Sequence, residues 1–486
     1  MNPTDPDTTA TTRPAAADAE PTMSRAARWV VLLVAMLGWG SSGFQLAITS
    51  LIGQPAALDL LNGVDGFSAP QYIAANKKFG ANPKPTESQR AESPELARYV
   101  EDKKVISRWF AWFTSAMLFG GASGGLLLGW LGDRFGRRPG LIVSILTSSL
   151  MALALNLAQT PLQLCIFWFL SCLGLGGMWP NGVAIISESW SGMSRSTVSG
   201  VMGAAANIGI LMMTTLATFP KFFVTYDSWR WILFIAGSPL ALGIIAVFFL
   251  PESPRWLKLH RKLKGEDARE RKVFDDSTAK PASMGEIFQG SLLPITLMAI
   301  VLATVPTMGG WGSAGWMVPW AENAGATPES SALLKAKTSQ YRAFTGIVGS
   351  MLGGWIAVKF GRRLTYFATS FGCLCSAQIT FWFLKPTDPA FLPLVATLGF
   401  FSGVYFGWLP HCMPEYFPTR NRSAGAGVSF NFGRIFTAIT VFTVGNLMDF
   451  FGGDYSRIGQ VTSLIFLIGM VVIWFAPPSR EGKLAD

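Results

Sequence analysis

Arg434 is the one ionisable residue in an otherwise uncharged stretch, 423–448. It lies twelve residues after Arg422. At 1.5 Å per residue that is near the centre of a ~30 Å hydrocarbon layer. A guanidinium at that depth costs between ~3 and more than ~10 kcal/mol unless it meets water or a counter-charge. No Asp or Glu occupies the interior of any long apolar stretch; Glu188, Glu322 and Glu415 all fall near the ends. The chemistry indicated is anion binding, with the negative charge arriving on a ligand. Satisfaction of Arg434 by backbone carbonyls is the alternative.

Other residues reach similar depth. Asn207 follows Arg195 by twelve residues, and Trp39 follows Arg28 by eleven. Trp311 sits in a Gly-rich run after Pro306. Trp39, Trp179, Trp311, Tyr405 and Trp408 each offer an apolar face with one polar handle, suited to a sugar-like ring or an aromatic acid. Core packing would place the same residues equally well. Gln45, Asn181 and Asn431 are candidates for orienting hydrogen bonds. Trp109, Trp316 and Trp320 read as an interfacial belt. His411 is a candidate proton site, because imidazole titrates near neutral pH.

The positioning elements follow from composition. Half the residues are hydrophobic and 14% are charged, against about 25% charged in ordinary globular proteins. Uncharged spans recur at 29–58, 109–132, 139–187, 196–220, 231–251, 287–321, 343–358, 364–384, 390–414 and 458–479. The span 139–187 accommodates two helices with a turn at Gln159-Thr160-Pro161. With 423–448, this predicts an all-α membrane protein of twelve helices in two six-helix halves.

The net charge of +10 resides largely in short loops: Arg134, Arg137, Arg138, Arg195, Lys359, Arg362, Arg363, Arg420 and Arg422. By the positive-inside rule these loops are cytoplasmic, and an even helix count puts both termini there. The excess charge is thus expected to set topology rather than to bind nucleic acid. The expected location is a bacterial inner membrane, as a monomer. The five cysteines lie in apolar spans without Cys-x-x-Cys spacing, and no Gly-x-x-x-x-Gly-Lys-Ser/Thr occurs. No metal, disulfide framework, nucleotide or other cofactor is therefore expected, and no catalytic constellation is visible.

The chain repeats itself. Gly129-Trp-Leu-Gly-Asp-Arg-Phe-Gly-Arg-Arg138 returns as Gly354-Trp-Ile-Ala-Val-Lys-Phe-Gly-Arg-Arg363, and Gly38-Trp-Gly-Ser-Ser-Gly43 as Gly310-Trp-Gly-Ser-Ala-Gly315. Glu188, seven residues before Arg195, returns as Glu415, seven before Arg422. The repeat makes Asn207 and Arg434 equivalents. Duplicated membrane halves with Gly/Pro interruptions at matching positions point to a substrate site between them. Asp133, Arg137, Arg138, Glu188, Arg195, Arg362, Arg363, Glu415 and Arg422 form a candidate gating group. Asp133 could cap a helix or pair across the gate, and Val358 in its place predicts a weaker second-half network. The expected divisions are a disordered tail 1–22, a first half 23–251, a cytoplasmic linker 252–286, a second half 287–479 and a tail 480–486. The first half carries 47 extra residues within an external loop of about 52–105. Ser93-Pro94 there reads as a helix start.

The Gly129–Arg138 block resembles the loop 2–3 motif of the major facilitator superfamily, and the order of motifs over 29–479 matches it. Pro251-Glu-Ser-Pro-Arg255 and Pro414-Glu-Tyr-Phe-Pro-Thr-Arg420 are similar to the sugar porter and metabolite–proton symporter branches. Phe430-Asn-Phe-Gly-Arg434 is closer to the metabolite, aromatic-acid and sialic-acid-like members. The resemblance implies helices 1 and 7 facing each other across a cavity, with Trp39 and Trp311 lining it. It also implies a helix 7 Gln-Gln pair in sugar porters, where this chain has Pro306–Trp311. Metabolite–proton symporters carry Asp in helix 1 and Arg and Glu in helix 4. Here helix 1 reads Gly40–Gln45, and Trp168 and Met178 replace the pair. A facilitator or exchanger is therefore favoured, with a coupling ion left open. The reading is a secondary transporter of a small organic anion, sialic-acid-like or an aromatic or other carboxylate, working by alternating access. The alternatives are a facilitator of a neutral sugar or nucleoside and a non-transporting sensor.

Overall fold

The computed structural model describes residues 23–80, 86–190, 195–254, 256–257, 285–418, 422–446, 450–451 and 453–477. The expected tails 1–22 and 480–486, and most of the expected linker 252–286, lie outside the described residues. Twelve long helical spans are present among the described residues. The first half holds α1 (Arg25–Leu61), α2 (Pro94–Phe135), α3 (Arg137–Leu157), α4 (Pro161–Ser189), α5 (Arg195–Leu216) and α6 (Trp231–Phe249). The second holds α7 (Leu292–Asn323), α8 (Pro328–Phe360), α9 (Arg362–Phe383), α10 (Phe391–Cys412), α11 (Arg422–Asn446) and α12 (Tyr455–Phe475). Outward-facing Phe248, Phe249, Phe383 and Phe475 are exposed, as side chains against lipid must be in a multi-pass membrane protein.

Helix starts follow one local rule. Ser93, Thr160 and Thr327 each precede a proline, and their hydroxyls accept from the backbone N–H of Leu96, Gln163 and Ser330. Proline at the first helical position gives up an N–H that would have had no partner. The two basic motifs end α2 and α8 at Gly136 and Gly361, with φ of +121° and +86°. Backbone there has left the range that side-chain-bearing residues adopt readily. The first connection spans 62–93, shorter than the loop drawn from sequence, because α1 and α2 both extend past their uncharged cores. It folds into the helices Ala69–Phe79 and Glu87–Glu92. Tyr72 stacks on Tyr99 at 5.5 Å, and the Tyr99 hydroxyl donates to Asn76 Oδ1 at 2.7 Å. These contacts hold the insertion onto the projecting end of α2.

Packing shows the duplication. Within each half, α2 packs on α4 and its mate α8 on α10. Between halves, α5 packs on α8 and α11 on α2. Bilayer lipid supplies no hydrophobic force between helices, so small residues that let backbones touch carry the association. A Cβ on Gly124 would stand 1.8 Å from the Leu173 carbonyl oxygen, and one on its repeat mate Gly349 would stand 2.1 Å from that of Phe400. Likewise Gly176 lies against the Gly121 carbonyl, and Gly403 against that of Gly346.

These contacts yield a first prediction. Gly124→Val should force α2 from α4 at a cost of ~3 kcal/mol or more. Gly427→Ala, with open space beside it, should be tolerated. Size-exclusion profiles and thermal melts in detergent check this; equal behaviour of the two variants would contradict it.

Candidate functional site

The middle of α7 is irregular for a reason in its sequence. Pro306 has no N–H, and its ring displaces the carbonyl four residues back. That carbonyl, of Leu302, accepts instead from the Tyr366 hydroxyl at 2.8 Å. After Pro306 the backbone loosens into π turns over Met308–Ser313, then tightens into a 3-10 turn over Ala314–Trp316. Such segments concentrate at functional sites. The matching run Gly38–Gly43 in α1 stays α-helical, so the expected interruption occurs in one half only. Val34 stands where Pro306 would be, and the α1 glycines serve packing. A Cβ on Gly43 would lie 2.1 Å from the Ala206 carbonyl oxygen, and one on Gly209 2.0 Å from that of Gly40.

Arg342 reaches this irregular turn, and Arg434 lies on α11, the helix packed against it. Arg434 Nη1 donates to the Gly121 carbonyl of α2 at 3.3 Å, with its guanidinium 4.6 Å from the Phe430 ring centroid. Arg342 Nη1 donates to the Gly310 carbonyl at 3.3 Å and lies 5.9 Å from the Trp311 centroid. Both arginines are half-buried, and neither has a carboxylate partner among the described residues. Asn431 Nδ2 donates to the Gly427 carbonyl. Its amide end fills the space a side chain at Gly125 would take. Asn207, half-buried, donates to Ser350 Oγ of the other half at 3.3 Å. Trp39 and Trp179 pack ring to ring at 4.9 Å, and Gln45 is buried further along α1.

Two candidates stand elsewhere. Asn181 donates to the Leu128 and Gly177 carbonyls, both at 2.9 Å. Its oxygen fills the space beside Gly132 and Gly140, so the side chain serves to join α2, α3 and α4. Tyr405 is buried in the second-half core, with its hydroxyl 2.6 Å from Ser370 Oγ and its ring edge-on to Tyr366. It braces the tyrosine that caps the Pro306 kink. Trp316, expected in an interfacial belt, is buried between Phe110 and Tyr455. Trp408 is buried too and donates to the Arg362 carbonyl. Trp168, in place of an arginine, is fully buried against Phe113.

The basic loops hold ion networks within each half. Arg137 pairs with Asp133 and, at 3.3 Å, with Glu188. Asp133 therefore pairs within its own half rather than across the gate. Glu252 accepts from the backbone N–H of Arg137 and Arg138. Burial pushes the Glu252 carboxyl above the ordinary carboxylate range, and the N–H groups of Ser253, Arg138 and Arg137 pull it back. Trp256 Nε1 donates to the Asp133 carbonyl at 3.0 Å. Opposite, Arg362 pairs with Glu415, while Val358 in place of the aspartate is exposed. Arg138 reaches the Val247 carbonyl and Arg363 that of Ala476, the repeat-related contact. The side chains of Arg195 and Arg422 lie outside the described residues. At the face away from the basic loops the halves are bridged by Tyr455, whose hydroxyl meets Gln54 at 2.9 Å and Ser107 at 2.6 Å. Beside it, Lys335 and Glu322 form a buried 2.6 Å pair.

Arg342, Lys335 and Glu252 are missing from the sequence candidates. One signal was available for Arg342. The uncharged span 343–358 is too short to cross a bilayer, so its helix had to begin earlier and take Arg342 inside.

Two six-helix halves repeated in the same orientation, meeting around a broken helix and cationic side chains, define a membrane transporter. The Major Facilitator Superfamily model matches residues 109–441, more than half of the chain, and the chain belongs to that family. The family is one of transporters, not enzymes, moving small molecules across a lipid membrane. The chain is 29% identical over 338 residues to the cis,cis-muconate transport protein of Acinetobacter baylyi, covering 68% of this chain and 77% of that one. It is 27% identical over 378 residues to the gallate transporter of Pseudomonas putida, covering 73% and 79%. The fold matches the partially occluded, inward-open xylose transporter XylE of E. coli with a TM-score of 0.59 at 15% identity, covering 94% and 99%.

Proposed function

We propose that this protein is a secondary transporter of an organic carboxylate, residing in a bacterial inner membrane as a monomer with both termini cytoplasmic. One observation carries the reading. Arg434, at mid-depth between the halves, spends one donor on a backbone carbonyl and leaves the rest of its planar fork to a ligand anion. Trp39, Trp179 and Trp311 supply faces for the apolar body, and Asn207, Asn431 and Gln45 its orienting hydrogen bonds. The muconate and gallate transporters it resembles support a carboxylate. The paired loop networks act as latches that hold each half rigid while the halves rock about the site. Transport proceeds as facilitation or exchange, since Glu188, Glu322 and Glu415 are already paired with Arg137, Lys335 and Arg362.

The test is uptake by proteoliposomes. Aromatic and aliphatic carboxylates should enter and compete with one another, while their uncharged amides and hexoses should not. Hexose uptake unaffected by any carboxylate would sink the reading. Concentrative uptake that collapses with an imposed pH gradient would replace facilitation by proton symport.

A further inference from the structure

We infer that the substrate is a dicarboxylate whose two ends are taken by Arg434 and Arg342. This rests on the carboxylate reading above and goes beyond it by adding a second anion subsite. Arg342 is half-buried on the face of α8 that continues through Gly346 and Ser350. Both of those meet Asn207 of the opposite half, so this face looks toward the interface between the halves. The two guanidiniums are built alike: each rests on an aromatic ring and each gives one hydrogen bond to a carbonyl. Among the described residues the carboxylates within the bundle already hold their own cations, as Glu322 does with Lys335.

Charge balance then decides the ligand class. A monoanion would compensate one buried guanidinium and leave the other uncompensated, which is costly at membrane depth. A dianion compensates both. The two helices also meet α7 at different residues. Thr307 of α7 meets the Gly433 carbonyl and Thr437 of α11, while Gly310, three residues on, meets Arg342. Two guanidiniums held by different helices on different carbonyls suit carboxylates at two ends of a ring or short chain better than one compact dianion.

The test uses the purified full chain, in detergent for ligand-induced thermal stabilisation and in proteoliposomes for uptake. The probes are terephthalate, adipate, the monoamide of each, and inorganic phosphate. In the unaltered protein at least one dicarboxylate should bind about tenfold or more tighter than its own monoamide, one charge-assisted contact being worth that much. Arg342→Gln should bring this ratio close to one, and Arg342→Lys should fall between. A ratio near one in the unaltered protein would overturn the inference, as would an unchanged ratio in Arg342→Gln. So would phosphate binding tighter than either dicarboxylate. If Arg342→Gln is not monodisperse, the ratio in the unaltered protein decides alone. Equal binding of monoamides and dicarboxylates would remove the second subsite and keep the carboxylate reading; binding of no carboxylate would remove both.

Discussion

Arg434→Ala is expected to reduce carboxylate uptake at least ~100-fold, because two charge-assisted hydrogen bonds of about 1.5 kcal/mol each are lost. The fold should survive. Arg434 makes one long hydrogen bond across the halves, to Gly121, whereas the packing of α2 on α11 spreads along both helices. Removing the guanidinium also removes a costly buried charge, so the variant's thermal stability without ligand should hold or rise. Arg434→Lys should rescue poorly. An ammonium cannot present two parallel donors to a carboxylate or lie flat on the Phe430 ring. The measurement is initial uptake rate against membrane-inserted, monodisperse protein. Normal transport by Arg434→Ala would take Arg434 out of the site.

Glu322→Ala is expected to produce the largest loss of stability among single side-chain deletions. Lys335 is 1% exposed and bonded to Glu322 at 2.6 Å. Removing the carboxylate leaves an enclosed ammonium without its partner, a change that costs ~3–5 kcal/mol in comparable sites. The apparent melting temperature should fall by roughly 5 °C or more. The double variant Glu322→Leu/Lys335→Met should recover most of the loss, since a buried pair replaced by apolar side chains is often neutral. A double variant as unstable as Glu322→Ala would show that the pair has a role beyond mutual neutralisation. Tyr455 and its partners, at the same face, would be the place to look.

Much of the architecture was legible because membrane folds constrain sequence strongly. Uncharged length reports spans, and loop arginines report which loops share a face. Repeated motifs reported two halves, and the close glycine contacts Gly124–Leu173 and Gly349–Phe400 obey the same repeat. Side-chain destination was less legible. Asn181 and Asn207 read alike along the chain, as polar residues in apolar helices. Yet Asn181 meets the glycine-lined junction of α2, α3 and α4, while Asn207 meets Ser350 across the halves. Arg342 was hidden because charge was taken to mark the end of a helix. The helix in fact begins at Pro328, and within it Lys335 is taken up by Glu322 and Arg342 by the Gly310 carbonyl.

The sequence by itself determined the number of crossings, the duplication, the helix start at Ser93 and a cation within an apolar helix. Each follows from local physics: hydrocarbon thickness, hydroxyl capping and the cost of an isolated charge. Pro306, with Val34 in its place in α1, marks in the sequence which of two similar glycine runs breaks; the tertiary structure decided what satisfies the break. Pro306 frees the Leu302 carbonyl, and a break there is stable only because Tyr366, sixty-odd positions away in α9, supplies the hydroxyl. It also decided that Arg342 of α8 reaches that break while Arg434 of α11 turns to Gly121 of α2, because helix rotation is set by neighbours rather than by the helix's own residues.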